Sequence, residues 1–287
     1  MKFNVKTQSS RHHYIPQFFI KEFTNESGML HVYNKEKDAF LSNLRSPKSI
    51  FYEYDRNSTN INSKNKNSSI EDIFYMNLDN FFAKVIKKLQ KDELTEELAS
   101  KENIIYLQFF IINQFWRLPQ NDALVSDIIQ KADIEIEGEL TVEEFKSHLD
   151  WNKILRLDFY KYTMEFIEKV PKPEKYYTNI TDFDDDLFLI GDHPFVFKDY
   201  ITHFSDFALN EFCIALTPKR MFRYSLKPLK PFKAATFMEY NAAVIEQSEK
   251  SIASNNIILL EYAVDYYKSW QQTGWKNFAT YLLFAKN

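Results

Sequence analysis

The chain has 287 residues, of which 45% are hydrophobic and 26% charged, so it carries enough apolar material for a folded core. Only 4 glycines are present, and neither G-x-G-x-x-G nor G-x-x-x-x-G-K-[ST] occurs, which argues against a Rossmann or P-loop nucleotide site. The formal charge of -4 excludes a globally basic coat, and Cys213 as the single cysteine excludes an intrachain disulfide and a thiolate zinc site.

The N-terminal region predicts an extended segment, a short aromatic helix and a hairpin. Pro16 restricts Ile15 to extended geometry, and aromatic residues follow it up to residue 23. Residues 29–33 and 39–41 flank a polar turn and predict the hairpin. Residues 56–69 are mostly Asn, Ser and Lys, so we expect an exposed, mobile loop there.

Four helices are predicted next, because apolar residues recur at helical spacing between polar breaks. The second is apolar nearly all round and is expected to be central to the core, and Pro119 ends it. The predicted ranges are 70–90, 96–116, 122–132 and 142–169.

The last third changes to short strand-like runs separated by turns. The predicted strands are 187–190, 195–197, 212–216 and 221–224; a helix over 239–255 follows, and 258–264 and 281–284 could be additional strands.

The fold class predicted from these elements is α+β. We expect one domain over 1–287, with mostly helical N-terminal two-thirds containing a small hairpin, and a strand-rich C-terminal third ending in a helix. A subdomain break near 169–180 is the alternative. No apolar run is long enough to cross a bilayer and no signal-peptide core is visible, so we expect a cytoplasmic protein without a membrane partner.

The first candidate site contains two adjacent histidines. His12 and His13, with Gln17 one helical turn later, offer ring nitrogens and an amide, and His13 could act as a general acid or base. The alternative is that one ring bonds a carbonyl and fixes the N-terminal segment in the core.

A second candidate centre follows the strand over 187–190. Asp192 could orient the ring of His193 or bind a metal, although Asp192 before Pro194 is also an ordinary turn signal. Arg117 leaves the end of an apolar helix and could clamp a phosphate, or it could pair with Glu71 or Asp192.

A basic aromatic stretch over 219–233 is the candidate nucleic-acid surface. Its cations could follow phosphates while its rings stack on bases, and Lys219, Arg220 and Arg223 are the expected binding residues. The alternative is a solvated rim over core aromatics. Separately, residues 133–144 partly match a calcium loop, with an acidic interhelical loop as the alternative.

These motifs together resemble the domain-of-unknown-function family numbered 4238. The segment HHYIPQFFIKEF at 12–23 is similar to the family's His-Tyr-x-Pro element. Later landmarks resemble the family's in order, with His193 where its Asp-Asn-Pro has Asn and Thr217 where its Ser-Pro has Ser. They are the Ser-x-Ile-Glu helix start ending at Glu71, the Arg-x-Pro helix end at Arg117, Asp192 to Pro194, Thr217 with Pro218, and Asn241.

The resemblance implies an antiviral role, because some members are found among genes that protect bacteria from phages. Our first hypothesis is a phage-defence effector acting on nucleic acid, a nuclease or other hydrolase in which His13, Asp192 and His193 form a catalytic centre and Arg117 handles phosphate. Gln17, Glu71 and Asn241 would support binding, and no cofactor is identified. The alternative is a non-catalytic sensor or protein-binding module, with a phage protein as one partner, whose motif residues are structural. The first hypothesis predicts that His13, Arg117 and Asp192 cluster, and that Asp192→Asn leaves thermal stability near wild type.

Overall fold

The computed structural model describes residues 11–60, 67–91, 101–133, 141–169, 176–231, 236–272, 274 and 277–285. It confirms the α+β fold class, with helices prevailing in the N-terminal two-thirds and a final helix after the strand-rich region. In chain order the described α-helices are α1 (Gln17–Ile20), α2 (Met76–Lys91), α3 (Lys101–Arg117), α4 (Asp122–Lys131), α5 (Val142–Ser147), α6 (Leu149–Lys169), α7 (Asp206–Leu209), α8 (Thr236–Gln247), α9 (Ile257–Gln271) and α10 (Phe278–Ala285).

The described strands form three antiparallel sheets. A two-stranded sheet pairs β1 with β4, one four-stranded sheet has the order β3-β2-β10-β6, and the other has the order β5-β9-β8-β7. The strands are β1 (Arg11–His13), β2 (His31–Asn34), β3 (Ala39–Phe40), β4 (Tyr52–Tyr54), β5 (Tyr177–Asp182), β6 (Ile190–Gly191), β7 (Phe195–Phe197), β8 (Phe212–Thr217), β9 (Arg220–Ser225) and β10 (Ser251–Ser254).

Strand β10 connects the N-terminal hairpin to the last third of the chain. Its residues pair with β2 on one side, with Ser251 opposite Asn34, and with β6 on the other, with Ile252 opposite Gly191. Helix α8 is buried along Met238–Ile245 and packs against β6, β7, α9 and α10. The last third is therefore held to the N-terminal hairpin by main-chain hydrogen bonds and by one buried helix.

Several sequence predictions are confirmed. The hairpin forms as β2 and β3, with Tyr33 opposite Phe40, and α3 is central, with Leu107 and Phe110 fully buried. Helix α2 is preceded without a break by a π-helical segment, Ile70–Tyr75, so the predicted helix over 70–90 forms. Helix α4 and strands β7, β8 and β9 also lie where they were predicted.

The C-terminal predictions were partly wrong. Residues 239–255 are not one helix, because α8 ends at Gln247 and β10 follows. Residues 258–264 and 281–284 are helical, in α9 and α10, instead of strands. Asn256 caps α9 by accepting hydrogen bonds from the N–H groups of Ile258 and Leu259, which starts a helix where a short apolar run had suggested a strand.

Two N-terminal predictions also needed correction. Residues 56–59 of the supposed exposed loop are buried, and the side chains of Arg56 and Asn57 form hydrogen bonds within the fold; residues 61–66 lie outside the described part. The helix predicted over 142–169 is divided at His148 into α5 and α6. The alternative break near 169–180 falls partly on residues 170–175, which also lie outside the described ranges. Within those ranges no helix has the length and apolar composition needed to cross a membrane.

Candidate functional site

The two N-terminal histidines lie on β1, and strand alternation turns their side chains to opposite sides. His12 accepts a hydrogen bond at Nδ1 from the backbone N–H of Asn57 at 2.9 Å. His13 is buried, and its Nδ1 lies 3.3 Å from Gln17 Nε2. The backbone of Pro47 and of Lys48 lies beside the ring, although His13 Nε2 makes no hydrogen bond of strict geometry with any described residue. One predicted ring is therefore structural, and Nε2 of the other is buried.

Arg117 lies beside His13 in a buried ionic cluster. The side chain is 1% exposed and donates to Asp79 Oδ1 at 2.7 Å, while Glu71 Oε1 lies 3.8 Å from its second terminal nitrogen. The guanidinium stacks over the ring of Tyr75 at 4.4 Å. Glu71, Tyr75 and Asp79 recur every four residues through the π-helical segment and the start of α2, so one face of this helix supplies all three partners.

The burial of His13, together with the charge of Arg117, favours its neutral form. Burial lowers the pKa of His13, the positive charge of Arg117 lowers it further, and Glu71 acts in the opposite direction. Burial raises the pKa of Asp79, which the charge and hydrogen bond of Arg117 oppose. The side chains of Glu71 and Asp79 stay 22% and 24% exposed, so the cluster reaches solvent on its acidic side only.

Asp192 lies in a different network and is saturated with hydrogen bonds. Its Oδ1 accepts from Gln120 Nε2 and from the backbone N–H of Glu249, each at 2.9 Å. Its Oδ2 accepts from the backbone N–H groups of Lys250 at 2.6 Å and Ser251 at 3.0 Å. Burial raises the pKa of Asp192, and the backbone N–H groups oppose this. A carboxylate has about four acceptor positions, so none is left for a substrate or a metal.

The position of Gly191 explains how Asp192 reaches these donors. A Cβ atom on Gly191 would overlap the Ser248 hydroxyl and come within 2.8 Å of a Val244 methyl group on α8. Only glycine allows β6 to approach α8 this closely. The next residue then points its carboxylate into the turn over 249–251 that connects α8 to β10.

Asn241 is likewise sealed. Its side chain is fully buried, accepts at Oδ1 from the Leu189 N–H at 3.1 Å and donates from Nδ2 to the Leu187 carbonyl at 2.8 Å. These bonds fix the segment before β6 on α8. We therefore assign Asn241 an architectural role, in place of the ligand-binding role expected from the sequence.

The predicted basic aromatic surface is mostly interior. Arg220 is 8% exposed and donates to Asp182 and to the Leu89 carbonyl, and Arg223 is 3% exposed and donates to the Lys230 carbonyl. Both belong to β9, which is buried on both faces, so neither forms part of an open cationic surface. Lys219 is exposed and donates to the Asp184 carbonyl, while residues 232 and 233 lie outside the described ranges.

The predicted calcium loop is described only at its ends. Glu144 accepts from the Thr141 N–H at 2.9 Å and completes a capping box at the start of α5, so it has a structural role there. Residues 134–140 are outside the described part. Within the described part, no group of three or more His, Cys, Asp or Glu side chains has the arrangement to hold a metal ion.

His193 lines the pocket that we call the His193 pocket. The cavity measures about 320 Å³ and lies between the end of α3, the segment after β7, and helices α8 and α10. Burial lowers the pKa of His193 to about 4, so the ring is neutral at pH 7. Its lining residues are Phe115, Gln120, Asn121, His193, Phe197, Lys198, Asp199, Tyr200, Ile201, Glu246, Gln247, Asn277 and Thr280.

The motif residues therefore converge only in part. His13, Glu71 and Arg117 meet, whereas Asp192 and Asn241 make their own sealed contacts. The two charged networks are connected indirectly. Arg56 donates to the Arg117 carbonyl and to Glu53, and Glu53 accepts from Lys250, whose backbone N–H binds Asp192.

Sequence reasoning missed Gln120 and Glu246, which line the His193 pocket and each carry a buried acceptor atom without a partner among the described residues. Gln120 follows the Arg117-Leu118-Pro119 helix end directly, which was an available signal. Glu246 had none, because its importance arises when α8 and the chain around Asn277 come together in three dimensions.

The family model described as "Protein of unknown function (DUF4238)" matches residues 11–257. That range includes every predicted site residue, while Asn277 and Thr280 of the pocket lie beyond it. No protein of curated function and no solved structure shows significant similarity to the chain.

Proposed function

The chain belongs to the DUF4238 family, and on that premise we propose that it is a non-catalytic sensor whose motif residues build the fold and whose ligand binds in the His193 pocket. The saturated carboxylate of Asp192 carries this proposal. A general base or metal ligand needs a free acceptor position, and all four positions of Asp192 are occupied. Three of the donors are backbone N–H groups, which no side-chain rearrangement can remove.

The contacts of the other motif residues support the same function. Asn241 bonds two backbone groups before β6, and Arg117 bonds two carboxylates from α2 and its preceding segment. Buried polar networks of this kind specify one arrangement of the surrounding elements. The His193 pocket, by contrast, has free volume and polar atoms without partners. Recognition is therefore assigned to the pocket and architecture to the motifs.

We place this sensor in the cytoplasm and in phage defence, following the single buried Cys213 and the antiviral role that the family resemblance implies. Ligand binding would stabilise the contacts of α10 with the rest of the pocket. Lining residues from α3, α8 and α10 would then move together, which provides a route from ligand to response.

A second candidate is the nucleic-acid hydrolase, and one observation favours it. His13 Nδ1 faces the N–H₂ of Gln17 and accepts from it, so the neutral ring carries its proton on Nε2, and Arg117 lies beside it. An imidazole N–H next to a guanidinium could donate to the charge that develops on a phosphodiester. Against this candidate, Arg117 is 1% exposed and is neutralised by Asp79 and Glu71.

Turnover of nucleic acid separates the two candidates. Purified wild-type protein and His13→Gln are incubated with labelled single- and double-stranded DNA and RNA, with and without divalent ions. The sensor proposal predicts no turnover above that of the His13→Gln protein. Turnover by the wild type that disappears in a folded His13→Gln variant would establish the hydrolase instead.

A further inference from the structure

We propose that the His193 pocket binds a small organic cation, in which a guanidinium, amidinium or ammonium head is attached to an apolar body. This inference rests on the proposed sensor function and specifies its ligand. Three lining residues carry acceptor atoms without donors among the described residues, two of these atoms lying beneath the pocket surface; aromatic rings form part of the wall, and its charged residues leave a negative balance.

The first acceptor is Gln120 Oε1. The amide orientation is fixed, because Gln120 Nε2 donates both to Asp192 Oδ1 at 2.9 Å and to the Asp192 carbonyl at 3.3 Å. The oxygen is consequently turned away from Asp192. It is shielded from bulk solvent and has no hydrogen-bond partner among the described residues.

The second acceptor is Glu246 Oε2. Its sister atom Oε1 accepts from the backbone N–H of Asn277 at 2.7 Å, whereas Oε2 is buried without a partner among the described residues. Burial raises the pKa of Glu246, and the positive charge of Lys35 opposes this. A cation bound in the pocket would supply the opposite charge that stabilises a buried carboxylate nearby.

The third acceptor is His193 Nε2. His193 Nδ1 lies 2.9 Å from the Phe195 carbonyl, which can only accept, so the ring proton is on Nδ1. The neutral ring then presents Nε2 as an acceptor, and no contact to Nε2 is found among the described residues. A ligand that donates a hydrogen bond would satisfy His193 Nε2; one that only accepts would not.

The apolar part of the wall suits an organic cation. Phe115 and Phe197 pack edge to face with centroids 6.1 Å apart, and Tyr200 is 76% exposed with no hydrogen bond among the described contacts. Aromatic faces attract cations that have left water, and they also bury the apolar body of a ligand. The volume of about 320 Å³ is sufficient for a ring-sized molecule.

The charges of the wall disfavour an anion. Lys198 is its one cation among the described lining residues, and its Nζ lies 3.2 Å from Glu211 Oε2, which offsets the charge. Asp199 and Glu246 remain on the lining without a salt bridge to a described residue. A phosphate or carboxylate ligand would meet this negative balance, whereas a cation is attracted by it.

Benzamidine is a suitable probe, because its amidinium carries four N–H donors on an aromatic ring, and benzamide is its neutral counterpart of nearly equal shape. Binding to the full chain is measured by calorimetry or by ligand-observed NMR. We expect benzamidine to bind at least tenfold more tightly than benzamide. Glu246→Gln, which keeps the side-chain shape, should weaken benzamidine binding by about tenfold, since the attraction of the negative charge beside the pocket is lost.

Two further variants keep the test decisive if Glu246→Gln is unstable. Tyr200→Ala removes an exposed ring and should weaken benzamidine binding several-fold without affecting folding. Glu261→Gln on the exposed face of α9 makes the same charge change outside the pocket and should leave binding unchanged.

Absence of benzamidine binding, equal binding of benzamide, or equal binding by wild type and Tyr200→Ala would overturn the proposed ligand class. The structural role of the motifs is tested separately, by the unfolding of Asp192 variants. A negative binding result would therefore leave that role unaffected.

Discussion

Gln120 donates its side-chain N–H to Asp192 at 2.9 Å and thereby joins a sealed carboxylate to an open pocket. One half of the Gln120 amide is thus bonded to the carboxylate that holds the turn, while its oxygen is buried without a partner among the described residues. This relationship places a family motif next to the pocket without making the motif itself the place where a ligand binds.

Asp192→Asn should destabilise the protein strongly. Either orientation of the new amide turns its N–H₂ toward two N–H donors, so two charge-assisted hydrogen bonds are lost. At about 1.5 kcal/mol or more for each bond, we expect a loss of at least about 3 kcal/mol, and hence a melting temperature lower by roughly 6 to 12 °C. Calorimetry measures this, with exposed Asp265→Asn on α9 as the matched control. This reverses the near-wild-type melting expected from the sequence, and a melting temperature equal to the control would restore a catalytic role for Asp192.

His193 should make the protein sensitive to acid. Its pKa is lowered from an ordinary value of about 6.5 to about 4 in the folded state, so the unfolded chain binds the proton first. The stability contribution is complete above pH 6.5 and is lost as the pH falls from 6.5 toward 4. Between pH 7 and pH 5 the wild type should lose about 2 kcal/mol more than His193→Asn. Urea unfolding at the two pH values tests this, and exposed His203→Asn should behave like the wild type.

The titration of His13 should respond to its two charged neighbours with opposite signs. Arg117 lowers the pKa of His13 and Glu71 raises it. Arg117→Met should therefore move the imidazole titration of His13 to higher pH, and Glu71→Gln should move it to lower pH. Ring-proton NMR measures both shifts, with His203 as an internal reference. Shifts of the same sign in both variants would mean that His13 does not lie between these charges.

Local patterns predicted the elements whose contacts are local. Alternation over residues 29–33 and helical spacing in α2 and α4 were sufficient, because turn residues and one apolar face define such elements. The elements after Gln247 could not be predicted from local patterns. The turn there is held by Asp192, 57 to 59 positions away in sequence, and the pairing of β10 with β2 depends on tertiary approach.

The candidate sites show the same limit. The sequence identified His13 and Arg117 as polar residues in apolar surroundings, and the structure places them together. It could not show that Arg220 and Arg223 are interior, because the burial of β9 depends on tertiary contacts such as that of Arg220 with the Leu89 carbonyl, 131 positions away in sequence. Nor could it identify Glu246, whose buried oxygen is defined by its contact with Asn277.

Protection of bacteria against phage by pocket and motif variants tests the central claim most directly. Cells expressing wild type, Tyr200→Ala or His13→Gln are challenged in parallel, and the melting temperature of each purified protein is recorded. We predict that Tyr200→Ala loses protection with an unchanged melting temperature, and that folded His13→Gln keeps protection. Full protection by Tyr200→Ala together with lost protection by a stably folded His13→Gln would contradict the assignment of recognition to the His193 pocket and architecture to the motifs.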